Sequence, residues 1–285
     1  MNLSNKQQGI MWFCISGLLS VIININMKYL NHTFNYHPFQ LVFCYSLLGS
    51  SLYLPAILRG KIRFSTTRSG LYSVRAILEI TGFMCMFFAL AKIPFAVLVT
   101  LTFTTPLIGT IFAVYMLGEK INQQKIIGLM VGFIGIISVT NPFGAEFQLA
   151  YLLPMLAACC FALCGVTIRL LAKTEPPSRI AARTLVMMAL FSAPFAATQA
   201  RLPDVSHLPY FALMAILVAA VQFSVGNALQ KIELSVAHPF MFLNLIWSST
   251  FAWLLFDEKI ASTTVIGAII IIIGIIINAY GDKKH

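Results

Sequence analysis

Acidic residues are scarce in this chain. It has 285 residues but only 9 Asp and Glu, against 19 Lys and Arg, and charged residues make up 10% of it. Soluble domains carry about a quarter charged residues. With 59% of the chain hydrophobic, a soluble fold of this length could not hide its apolar surface, so the solvent must be lipid. Catalytic signatures are missing as well. There is no HExxH, no close Asp pair, no Ser nucleophile motif and no P-loop spacing, which argues against metallohydrolase, acyl-transfer and ATP-hydrolysing chemistry. No catalytic residue, metal site or cofactor is assigned. The six cysteines (Cys14, Cys44, Cys85, Cys159, Cys160, Cys164) all fall in apolar stretches with no CxxC spacing, and read as packing residues. The five histidines (His32, His37, His207, His238, His285) are placed at the boundaries of those stretches.

What the chain does have is apolar length. A helix rises about 1.5 Å per residue and the hydrocarbon core is about 30 Å thick, so about 20 apolar residues cross it. Ten such stretches can be placed, at 9–28, 38–58, 70–91, 94–117, 124–141, 149–171, 179–200, 208–230, 236–256 and 262–280. They leave no room for a soluble domain. With the N-terminus in the cytoplasm, the inner segments hold Lys6, Arg59, Lys61, Arg63, Arg68, Lys120, Lys125, Lys173, Arg179, Lys231, Lys283 and Lys284. The outer segments hold only Lys92, Arg201 and Lys259. Twelve against three places both termini in the cytoplasm. The net charge of +10 therefore reflects topology and affinity for anionic headgroups, and nucleic acid is not expected as a partner. The first stretch lacks a small-residue cleavage pattern and reads as a retained helix.

The chain also repeats itself. A shift of 139 positions aligns Pro38 with Pro177, Pro55 with Pro194, and Ala76-Ile77-Leu78 with Ala215-Ile216-Leu217. It likewise aligns Lys92-Ile93 with Lys231-Ile232, Glu119-Lys120-Ile121 with Glu258-Lys259-Ile260, and Gly128 and Gly135 with Gly267 and Gly274. Five crossings per half put the second half upside down. The expected fold is an all-α membrane protein of ten transmembrane helices in two inverted five-helix repeats, 9–141 and 149–280, joined near Asn141-Pro142-Phe143-Gly144. Inverted repeats of this kind build alternating-access transporters. The Gly-rich fifth and tenth stretches read as scaffold or dimer contact, since small residues let backbones approach in lipid. Glu119-Lys120 and Glu258-Lys259 read as helix stops with interfacial charge pairs on opposite sides.

Charge at membrane depth costs about 2.5–3.5 kcal/mol on insertion scales, so buried ionisable groups are functional candidates. Glu79, about 12 Å along the third helix by helical rise, is the deepest acid; Arg75 lies one turn earlier and can pair with it. The other eight acids are placed at helix ends or in loops. Arg183, inside the seventh helix, can reach a carboxylate or phosphate in a bidentate manner; Arg169 and Lys28 are read as snorkelling to the interface. Uncharged polar groups mark an inner path: Asn24 and Asn26 in the first helix, Thr100, Thr102, Thr104 and Thr105 in the fourth, Gln222 and Asn227 in the eighth, Asn244 and Trp247 in the ninth. Pro106 can break the fourth helix near midmembrane.

The stretch from Arg75 to Val139 resembles the core pattern of the EamA group of the drug/metabolite transporter superfamily. Arg75 opens the third helix, Ala89-Leu90 and Pro94 close it, Pro106 sits within the fourth, Gly118-Glu119 forms the turn, and Gly128 and Gly135 space the fifth. In the second half Asp257-Glu258, Gly267 and Gly274 match, while Leu245 stands where a second proline would be and Cys44 stands opposite Arg183. The resemblance implies a central cavity walled mainly by helices one, three, four, six, eight and nine, and a secondary transporter of a small polar organic metabolite. S-adenosylmethionine uptake and export of amino acids or related metabolites are the candidate activities, in a bacterial inner membrane. Substrate contact is expected from Asn24, Arg75, Glu79, Thr102, Thr105, Arg183, Gln222, Asn227, Asn244 and Trp247. The expected partners are the solute, the lipid bilayer and a coupling proton or counter-substrate, with the protein a monomer or homodimer. A membrane-embedded enzyme and a channel are the competing classes.

Overall fold

The computed structural model describes residues 4–63, 65–90, 92, 98, 101–140, 149–198, 203–256 and 262–281. Among the described residues are ten helices of 13 residues or more: α1 (Asn5–Phe34), α2 (Pro38–Ser51), α3 (Ser69–Leu90), α4 (Thr105–Leu117), α5 (Gln123–Thr140), α6 (Leu152–Ala172), α7 (Pro177–Ala197), α8 (Leu208–Lys231), α9 (Leu243–Phe256) and α10 (Ser262–Gly281). Six spans are long and apolar enough to cross a membrane by length and composition: those built on α1, α2, α3, α6, α7 and α8.

Local chemistry explains most of the boundaries. Ser4 and Gln7 form a reciprocal capping box that starts α1 ahead of the expected position. His37 accepts from the Phe39 amide and Pro38 occupies the first turn of α2. Gly118 ends α4 at φ 68°, a left-handed conformation that favours glycine. Helices four and nine are both interrupted. Pro106 sits in the first turn of α4, just after a turn at residues 103–104. In the second half the break comes earlier in sequence, where a short helix Leu234–Ala237 passes into a 3-10 turn at His238–Phe242 that contains Pro239. The proline has moved, but the interruption is kept.

The chain forms two compact units, and each takes helices from both sequence repeats. One comprises Met1–Met84 with Thr167–Lys231; the other comprises Cys85–Val166 with Ile232–His285. In the first unit α2 packs antiparallel to α7, its counterpart under the 139-residue shift. Phe39 at the start of α2 stacks on Phe195 near the end of α7, with ring centroids 5.0 Å apart. Across the same pair, a Cβ on Gly49 would sit 3.3 Å from Leu185 Cδ1. Helix α1 runs antiparallel to α8: Trp12 meets Phe223 edge-on, and the Asn26 amide donates to the Tyr210 carbonyl. Leu30, Tyr36, Leu41, Phe211 and Leu185 fill the core between these helices.

In the second unit α5 and α10, also counterparts, cross antiparallel through their glycines. A Cβ on Gly274 would lie 2.7 Å from the Gly128 carbonyl oxygen, and one on Gly135 would lie 2.9 Å from that of Gly267. The same positions in the two repeats thus meet in exchanged order, which is what inversion of a duplicated unit produces. The glycine faces of the two helices meet each other. Their outer faces (Ile127, Ile134, Ile269, Ile276) remain exposed. Gly274→Ala is expected to lower thermal stability by about 1–3 kcal/mol, because backbone rather than a movable side chain blocks the added methyl. Comparison of melting curves for Gly274→Ala and the exposed Ile273→Ala checks it.

Candidate functional site

Ten residues into α3, counting from Ser69, Glu79 stands one turn beyond Arg75. The expected ion pair forms, with Arg75 Nη2 3.4 Å from Glu79 Oε2. A third residue closes the figure. Arg75 Nη2 donates to Gln222 Oε1 at 2.7 Å, and Gln222 Nε2 donates to Glu79 Oε1 at 3.0 Å. The carboxamide of α8 therefore links both charges of α3, using its acceptor for one and its donor for the other. Arg75 Nε also donates to Thr184 Oγ1 of α7 at 3.3 Å. Arg75, Gln222 and Thr184 are buried. Pairing and hydrogen bonding offset the cost of holding the guanidinium and carboxylate among apolar helices.

Beside this lattice lies a cavity of about 120 Å³, enclosed by α1, α2, α3 and α8. Glu79 and Gln222 form part of its wall, with Asn24, Ser20, Tyr45 and Phe83. Glu79 Oε2 has no hydrogen-bond donor among the described residues.

Four of the ten expected site residues thus come together in the first unit: Asn24, Arg75, Glu79 and Gln222. Arg183 lies elsewhere in that unit. Its guanidinium sits 5.1 Å from the Tyr72 ring centroid and donates to Ser69 Oγ at 3.0 Å. Asn227 turns back on its own helix, donating to the Phe223 carbonyl. The other four belong to the second unit. Thr102 and Thr105 donate to the carbonyls of Leu98 and Thr102, three or four residues back, which is the local bonding such residues favour in helices. Asn244 Oδ1 is buried without a donor among the described residues, and Trp247 is half-buried.

Several readings from sequence need correction. Glu119 is not an interfacial anchor. It is 8% exposed, and its two carboxylate oxygens accept the backbone amides of Leu234 and Ser235, each at 2.9 Å. Lys125 meets Glu233 at 3.3 Å beside it, while Lys120 is exposed. Glu175, at a turn, is buried as well, holding Thr66 and Arg179. His238 is not at a boundary: it is 2% exposed, and its Nδ1 lies 3.0 Å from Thr110 Oγ1. Arg169 does not snorkel; it reaches the Leu229 carbonyl. The Lys28 side chain, Thr100, the Asn141–Gly144 junction and the Asp257-Glu258-Lys259 turn lie outside the described residues. Sequence reasoning missed Tyr45, Thr184, Ser20 and Phe83. None is charged, and each acquires its role only from neighbours on other helices. Among the described residues no group of three His, Cys, Asp or Glu gathers as a metal site.

Relatives of this chain include proteins named as transporters and an exporter. The chain is 27% identical over 277 residues to the S-adenosylmethionine uptake transporter of Rickettsia prowazekii, covering 97% of this chain and 94% of that protein. It is 25% identical to the riboflavin transporter of Vibrio cholerae, covering 97% of this chain and 95% of the other. It is 22% identical to the pseudopaline exporter of Pseudomonas aeruginosa, over 83% and 84% of the two chains. A crystal structure of a protein 15% identical superposes with a TM-score of 0.80, covering 98% of each chain, and so shares the fold. The sequence model of the EamA-like transporter family matches twice, at residues 7–141 and 148–280. The repeat seen in sequence is therefore a repeat of the family unit, and this multi-pass membrane protein, a transporter and not an enzyme, belongs to the EamA-like transporter family.

Proposed function

We propose that this chain carries one small polar organic metabolite across a bacterial inner membrane by alternating access, with both termini cytoplasmic and residues 9–141 and 149–280 as the two inverted repeats. The observation that carries the reading is the Arg75–Glu79–Gln222 lattice beside a cavity, within helices otherwise built for lipid. Charge at that depth is costly to keep without use. Asn24, Glu79 and Gln222 contact the solute in the first unit, with Arg75 setting the field. Thr102, Thr105, Asn244 and Trp247 are proposed contacts in the second unit, and Arg183 and Asn227 further ones in the first. Flux is coupled to a proton or to a counter-moving solute.

Full-length likeness to an S-adenosylmethionine uptake transporter makes that solute the first to test, ahead of riboflavin and the amino acids. In proteoliposomes the purified chain is expected to take up labelled S-adenosylmethionine saturably, and to take it up faster when unlabelled solute is preloaded. Linear, unsaturated flux without such stimulation would mark a channel, and recovery of chemically altered solute would mark an enzyme. Either result overturns the reading.

A further inference from the structure

The wall of the first unit's cavity has one sign of charge. Among the described residues that line it, Glu79 is the acidic side chain and none is Lys, Arg or His. Arg75 is not part of the wall; it is engaged by Gln222, Thr184 and Glu79. A carboxylate offers about four lone-pair sites. On Glu79, Gln222 uses one through Oε1, while Oε2 lies 3.4 Å from Arg75 Nη2 and takes no hydrogen bond from a described residue. The cavity adds two aromatic rings, Tyr45 and Phe83, the Ser20 hydroxyl and the carboxamides of Asn24 and Gln222; the rest of the wall is aliphatic or thioether. Aromatic faces and a carboxylate both attract a cation, and an apolar wall favours a cation that is weakly hydrated. An anion would meet Glu79 with no opposing charge in the wall. A bare metal cation would want six or more oxygens in its shell, and this wall does not offer them. The volume of about 120 Å³ falls well short of the ~300–1,000 Å³ of pockets that enclose a whole drug-sized ligand. It holds a head group and not an entire solute.

We infer that this cavity is the subsite for a positively charged organic head group, an ammonium or sulfonium, held by Glu79 against Tyr45 and Phe83. The inference rests on the carrier reading and adds the charge class of the cargo to it. Glu79 is the specificity-determining residue, Gln222 orients its carboxylate, and Arg75 flanks it at 3.4 Å.

Binding of choline, of trimethylsulfonium and of 3,3-dimethyl-1-butanol (the neutral carbon isostere of choline) tests this. The readout is the ligand-dependent shift in melting temperature of the purified full chain at constant ionic strength. Wild type is expected to bind both cations at least tenfold tighter than the neutral isostere. Glu79→Gln is expected to lose that preference while its weak affinity for the isostere stays unchanged. Glu79→Asp keeps the charge and is expected to keep the preference, which separates loss of charge from loss of fold. Three results would overturn the inference: equal affinity for choline and its isostere in wild type, a cation preference that survives Glu79→Gln, or displacement of choline by an equal concentration of sodium. The measurement reads binding and not flux. A chain that prefers choline through Glu79 yet moves no solute keeps this inference and loses the carrier reading. A chain that transports without any charge preference does the reverse.

Discussion

Arg75→Ala is expected to stop transport and to lower stability by about 3–5 kcal/mol, the cost of leaving a buried charge without its partner. In this variant Glu79, with a side chain only 15% exposed, keeps its carboxylate among apolar helices, and Gln222 loses the donor that aims it. Glu79→Gln is expected to be milder in stability, because Arg75 retains Gln222 and Thr184 as acceptors. The double variant Arg75→Ala/Glu79→Gln removes both charges. It should regain much of the stability lost in Arg75→Ala while still failing to transport. Melting curves and proteoliposome uptake on the three variants read the two properties separately. Normal flux in both single variants would remove the pair from the transport machinery.

The second large effect is expected at Glu119. Its two oxygens take the first amides of the segment that begins at Leu234, where a helix start leaves donors unpaired. Leu234 and Ser235 are buried, so water cannot take over. Each hydrogen bond to a charged group is worth about 1.5–3 kcal/mol, so Glu119→Ala is expected to cost about 3–6 kcal/mol. Glu119→Gln keeps one acceptor and turns an amide donor toward the other N–H, so it should recover only part of that loss. Lys120→Ala, at the exposed neighbour, should stay within about 0.5 kcal/mol of wild type, as surface substitutions do. Thermal unfolding in detergent ranks the three. If Glu119→Ala and Lys120→Ala melted alike, Glu119 would be an interfacial charge after all.

These sites differ in how legible they were. The Arg75–Glu79 pair could be read because its two members are four residues apart on one helix, and helical periodicity alone brings them together. Gln222 was visible as a polar residue in an apolar run, but not as the bridge, because its partners lie 143 and 147 residues away. Thr102, Thr105 and Asn227 looked equally promising in sequence, yet each donates to a carbonyl three or four residues back. Nothing in a one-dimensional pattern separates a hydroxyl turned to its own backbone from one turned to a cavity. Glu119 and His238 were misplaced for a related reason. A polar residue next to a turn usually faces water, but here the segment after Glu233 covers Glu119 and carries His238 onto Gly109 and Thr110.

The amino-acid order by itself determined the solvent, the helices and the duplication. Apolar run length, the asymmetry of Lys and Arg, and residue identity at a fixed offset are local or linear quantities, and lipid enforces them strongly because an unpaired backbone group or charge is so costly there. Only the tertiary structure decided that the two compact units would each draw helices from both halves. Only there did Gly128 and Gly135 of α5 meet Gly274 and Gly267 of α10. The choice among the polar candidates was made there too. A side chain's role depends on what packs opposite it, and in antiparallel pairs of helices from different repeats that neighbour comes from a distant part of the chain.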